Sequence, residues 1–162
     1  MKYFAFCHTA EELKKAYRAA AKRLHPDAGG DPEEFKRMQA AFESTWARLK
    51  NIHQTKDGKT YEAETTETAG EFMDLIERLL KLSCVDVEIC GSWIWCSGNT
   101  KPHKAMLKQL GFRWSAGKSA WYYHRNPYRK RSQRELTMEE IRGMYGSRHY
   151  DQEQEPQLAL QE

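Results

Sequence analysis

The amino-acid sequence predicts an α+β protein, a helical hairpin followed by a small module ordered helix, β-hairpin, helix, β-hairpin. Three observations lead there. Apolar residues recur at helical spacing in two runs between residues 9 and 49, and they alternate with polar ones in short runs near 85–97 and 112–123. Each pair of alternating runs is joined by a short turn that contains glycine. The composition suits such a fold: 162 residues, 40% hydrophobic and 30% charged, can bury a core and do not read as a disordered polyampholyte.

The first helix opens at Thr9, where Thr9 and Glu12 have the spacing of a capping box. Leu13, Ala16, Tyr17, Ala20, Ala21 and Leu24 form its apolar stripe, and Lys14, Lys15, Arg18, Lys22 and Arg23 its basic faces. Pro26 ends it by disfavouring helical geometry at His25. Asp31-Pro32-Glu33-Glu34 opens the second helix, with a side-chain cap, proline at the first helical position and carboxylates near the positive end of the dipole. Phe35, Met38, Phe42, Trp46 and Leu49 make the returning stripe, which leaves His25-Pro26-Asp27-Ala28-Gly29-Gly30 exposed at the tip of the hairpin.

Residues 3–50 resemble a J domain, the module by which DnaJ-type co-chaperones stimulate DnaK-type ATPases. The resemblance is carried by Ala16-Tyr17-Arg18, by Leu24-His25-Pro26-Asp27 at the turn, and by Phe35 with Ala41-Phe42-Glu43 on the returning helix. It implies that His25, Pro26 and Asp27 contact a DnaK-type chaperone, with Lys14, Arg18 and Lys22 steering the encounter. The family's first short helix is abbreviated here, because about eight residues precede Thr9. Neither a glycine/phenylalanine-rich segment nor a cysteine-rich zinc module follows, so the resemblance is to a minimal, divergent J protein of bacterial or phage type.

Residues 51–66 read as a linker or short ribbon, with Asp57-Gly58-Lys59 as a turn. Thr68 and Glu71 cap a further amphipathic helix carrying Phe72, Leu75, Ile76, Leu79 and Leu80, expected to pack against the sheet that follows. In that sheet, Gly91-Ser92 pairs Cys90 with Trp93, Ile89 with Ile94, Glu88 with Trp95 and Val87 with Cys96. Val85, Val87, Ile89, Ile94 and Cys96 then line a core face, while Cys90, Trp93 and Trp95 share the other. Thr100 is expected to cap the next helix and Gly111 to stop it, with Lys101, Lys104 and Lys108 as a basic stripe. Pairing around Gly117-Lys118 groups Phe112, Trp114, Trp121 and Tyr123, and sends Arg113 and Tyr122 to the opposite face. The run from Leu110 to Tyr123 looks like a ββαββ element common in bacterial and mobile-element proteins. Thr137 and Glu140 cap a short helix that docks on this module or on a partner, and 151–162 reads as an acidic disordered tail.

The expected domains are therefore 1–50, 67–150 and the tail 151–162, with 51–66 between the first two. Residues 84–150 carry a formal charge of +7 and four of the five tryptophans, which suits an anionic partner. Trp93, Trp95, Lys101, Lys104, Lys108, Arg113, Tyr122, Arg129, Lys130 and Arg131 are candidates for binding single-stranded nucleic acid or a protein client. Core packing and a solvated face are the competing reading of the same residues. The function expected first is co-chaperone; the alternative is a nucleic-acid-binding or replication accessory protein of a mobile element.

Neither a cofactor, a metal site nor an enzyme activity is expected. Cys84, Cys90 and Cys96 recur every six residues, but Cys90 and Cys96 fall on opposite faces, and no phosphate loop or nucleophile elbow occurs. Four cysteines without a CxxC pair, no membrane-length apolar run and no apolar signal after Met1 point to a reducing, cytoplasmic setting.

Overall fold

The computed structural model describes residues 3–55, 57–83, 85–125 and 135–145, which form two compact units meeting at Lys81 and Leu82. The first is helical. α1 (Ala10–Leu24) is capped by Thr9, whose hydroxyl accepts the Glu12 N–H at 3.2 Å, and α2 (Pro32–Leu49) by Asp31. Every residue of the two expected apolar stripes is buried. In place of the shortened first helix stands a turn at residues 3–6. It drives Phe4, fully buried, against Phe42 at 6.2 Å and holds its φ at +63°, a left-handed value rare for a bulky side chain.

The segment before the third helix is the short ribbon the sequence allows, whereas the third helix departs from expectation. Residues 51–66 hold a ribbon of β1 (Ile52–Gln54) and β2 (Thr60–Glu62), tied to α1 by His53 Nδ1 and Glu11 Oε1 at 2.8 Å. The expected capping box opens α3 (Ala69–Leu80). Its Phe72 packs not on the sheet but on the helical hairpin, stacked on Phe42 at 5.6 Å and nearly parallel to Trp46 at 6.5 Å. The hairpin alone cannot cover the Phe42–Trp46 side of α2, and α3 buries it; Trp46 Nε1 donates to the Glu67 carbonyl at 3.1 Å. The boundary between units accordingly falls after residue 81 rather than 66. Burial pushes both the Cys7 thiol and the Tyr17 phenol up to about 12.

The second unit is a four-stranded antiparallel sheet of order β3-β4-β6-β5, from β3 (Val85–Cys90), β4 (Trp93–Gly98), β5 (Arg113–Ser115) and β6 (Ala120–Tyr123). Both hairpin registers are those the turns predict, and β4 joins them through Trp95 opposite Tyr122 and Cys96 opposite Trp121. Ile89, Ile94, Cys96 and Trp121 are buried on one face. Thr100 does not cap α4 (Lys104–Gln109) through its side chain: it is buried in helical geometry, and a 3-10 turn over Lys101–His103 intervenes.

On the opposite face Cys90, Trp95, Ala120 and Ile141 form a buried cluster, with Trp93, Tyr122, Leu136 and Met138 packed against it. Its cover is residues 135–145, including α5 (Met138–Tyr145), opened by the expected Thr137–Glu140 box. Arg142 clamps it to β3 with two bonds to Glu88, at 2.8 and 3.0 Å, which hold the guanidinium charge more firmly than in water. α5 thus docks on its own module.

Candidate functional site

The tip of the hairpin is built by local rules. α1 stops at Leu24 because His25 adopts extended geometry ahead of Pro26, and Pro26–Ala28 then makes one 3-10 turn. The N–H groups of Ala28 and Gly30 donate to the His25 carbonyl at 2.9 and 3.1 Å, and that of Gly29 to Pro26 at 3.0 Å. With its own donors satisfied, the turn has no need of outside partners to hold its shape. Two glycines are required to close it. Gly29 has φ +88°, and a Cβ at Gly30 would lie 2.1 Å from the Leu24 carbonyl oxygen, inside any permitted contact.

The three tip side chains are presented differently. Pro26 is exposed, and the Asp27 carboxylate is 79% exposed. The His25 ring is only 12% exposed, with its edge against Phe35 at 5.2 Å. Its Nδ1 accepts the Asp27 N–H at 3.1 Å, whereas the Asp27 carboxylate at 3.6 Å is beyond hydrogen-bond distance. The neutral ring therefore carries its proton on Nε2. His25 is a brace that fixes where Pro26 and Asp27 project, and the carboxylate is the free acceptor.

The basic residues of α1 divide. Lys22 is exposed near the tip, and Arg18 is half-buried. Lys14 does not face solvent as expected. Its ammonium pairs with the buried Glu67 carboxylate and lies over the rings of Trp46 and Phe72, at 5.4 and 5.0 Å from their centres. The cause is the start of α3 and the residues leading into it, which bring Phe72 and Glu67 to that side of α1.

In the second unit, Trp95 is 6% exposed beneath α5, and its buried indole N–H finds no partner among the described residues. Trp93 and Tyr122 are half-buried in the same cluster, with Trp93 stacked on His124 at 4.3 Å. On this face Trp95 is packed as core and Trp93 and Tyr122 are partly covered. Lys101, Lys104, Lys108 and Arg113 are exposed as expected. Trp114, not among the sequence candidates, is 49% exposed; its place on edge strand β5 was the missed signal. Arg129, Lys130 and Arg131, the neighbouring Arg134, Cys84 and the tail 151–162 lie outside the described residues. Cys90 and Cys96 do lie on opposite faces, and among the described residues no cluster of three or more metal-ligating side chains forms.

The helical hairpin displays His25-Pro26-Asp27 on a self-satisfied turn, and sequence comparison finds DnaJ proteins similar to this chain. Over 35 residues the chain is 63% identical to DnaJ protein homolog 2 of Allium porrum, covering 22% of this chain and 8% of that protein. Over 33 residues it is 64% identical to chaperone protein dnaJ A6 of Oryza sativa subsp. japonica, again 8% of that protein. It is also 30% identical over 102 residues to the small t antigen of BK polyomavirus, 62% of this chain and 52% of the antigen. These matches support the J-domain family for the N-terminal region, and the chain spans only a small part of its DnaJ relatives. No protein-family model and no solved structure matches the chain. Among the described residues, no helix is long and apolar enough to cross a membrane.

Proposed function

We propose that this chain is a J-domain co-chaperone of the short bacterial or phage type. Its tip engages a DnaK-type chaperone and stimulates ATP hydrolysis, and its second unit selects the client or location. The observation that carries the reading is the outward Asp27 carboxylate beside Pro26, on a turn closed by its own backbone and braced by His25 against Phe35. A rigid exposed acceptor loses little conformational freedom on docking, which favours a short, repeated encounter with a larger ATPase. Lys22 and Arg18 add steering toward an acidic surface, an effect on encounter rate and salt dependence. The chain's part is binding, and the hydrolytic chemistry belongs to the partner.

Steady-state ATP turnover by DnaK-type chaperones, with and without the full chain, tests this. Wild type is expected to stimulate turnover, while His25→Gln and Asp27→Asn remove at least about 90% of the stimulation, a loss of about 1.4 kcal/mol or more in coupling. Asp27→Asn, at an exposed carboxylate, should keep the wild-type thermal midpoint, which separates a lost contact from a lost fold. Absence of stimulation by wild type across several such chaperones would overturn the reading.

A further inference from the structure

We infer that the second unit carries a single-stranded nucleic-acid site at its β5 edge, with Trp114 as the stacking platform and Lys104, Lys108 and Arg113 as phosphate contacts. The inference stands apart from the co-chaperone reading and uses none of its residues. Among the described residues, β5 stands at one end of the sheet order β3-β4-β6-β5, with a strand neighbour on one side only. Trp114 touches Trp121 at 5.6 Å and still leaves 49% of its surface in solvent. An indole half out of water on an edge strand is a ready face for a base, and base–aromatic stacking tolerates any sequence.

The charges are distributed to suit. α4 runs through Gly111 into β5, with the Phe112 N–H donating to the Leu107 carbonyl at 3.0 Å. A Cβ at Gly111 would lie 3.5 Å from the Tyr123 ring, and Tyr123 shares its sheet face with Trp121 and Trp114, so α4 ends on the Trp114 face. Lys104 and Lys108, one helical turn apart on α4, are exposed, and so is Arg113 at the start of β5, which projects from the opposite face of that edge strand. The sheet's two carboxylates, Asp86 and Glu88, sit on β3 at the far edge, and Glu88 is bonded to Arg142. Glu135 stands beside Gly117 at the β5–β6 turn. The cationic edge and the anionic edge are thus separated by the width of the sheet, and a polyanion is matched to one of them.

The test is fluorescence anisotropy of the full chain with labelled oligo-dT and oligo-U of about 20 nucleotides, in about 50 mM salt, beside a duplex of equal length. Binding to the single strands with quenching of tryptophan emission is expected. Trp114→Ala should weaken it about tenfold and Trp114→Phe much less. Lys104→Ala with Lys108→Ala, which removes no core side chain, should lower the log–log salt slope by about 1.4. Flat titrations at low salt, equal affinity for the duplex, or a Lys104/Lys108 variant with an unchanged slope would each overturn it. So would quenching by a permanently unfolded polypeptide in place of the oligonucleotides, which would make this edge a protein-binding surface.

Discussion

The hairpin tip at residues 25–27 and the tryptophan-bearing sheet face at 93–95 stand out equally in the sequence, yet the chain folds one outward and seals the other. At the tip, exposure follows from neighbours within about six residues: proline stops the helix, a 3-10 turn satisfies the backbone, and Gly29 and Gly30 admit the close return. On the sheet face, Trp95 is buried by Ile141, which lies 46 positions further along the chain. Short-range chemistry decides whether a tip projects; a distant segment decides whether an aromatic face stays open. The same contrast runs along α1, where Lys22 remains in solvent and Lys14 is turned inward by Glu67, 53 positions further along the chain.

Four substitutions sharpen this comparison. Lys14→Met strands the buried Glu67 carboxylate and should cost about 3 kcal/mol in urea denaturation of the helical unit, with Glu67→Gln in the same chain restoring much of it. If Lys14 were an outward chaperone contact, stability would hardly move. Ile141→Ala opens the cover over Trp95 and should cost about 2 kcal/mol. It should also red-shift tryptophan emission and raise its quenching by acrylamide. Unchanged quenching would mean that α5 does not seal that face. Lys22→Ala has the smallest effect: stability within about 0.5 kcal/mol of wild type, and about twofold slower association with the chaperone at low salt, vanishing at high salt.

Much of this was legible in the sequence. Caps at Thr9, Asp31, Thr68 and Thr137, the proline stop at residue 26 and both hairpin registers follow from rules acting over a few residues, and the fold obeys them. The partner of α3 was not legible, because an apolar stripe of Phe72, Leu75, Ile76 and Leu79 fits a sheet or a helix pair equally well. Nor was the role of Phe4, whose left-handed turn has no glycine to announce it. Within the candidate sites, the sequence identified the tip and the exposed lysines. It misplaced Lys14, left Trp95 open between core and binding face, and passed over Trp114, since strand order in a sheet, and hence which strand is the edge, is set by long-range pairing.

The central claim is that the braced turn at His25–Asp27 is the surface that meets a DnaK-type chaperone. Titrating ATP-loaded chaperone into the isotopically labelled full chain and following backbone amide resonances tests it most directly. The largest perturbations should fall between Lys22 and Gly29, reduced in Asp27→Asn, with β3–β6 unmoved. Perturbations confined to the sheet unit, or identical in wild type and Asp27→Asn, would contradict it.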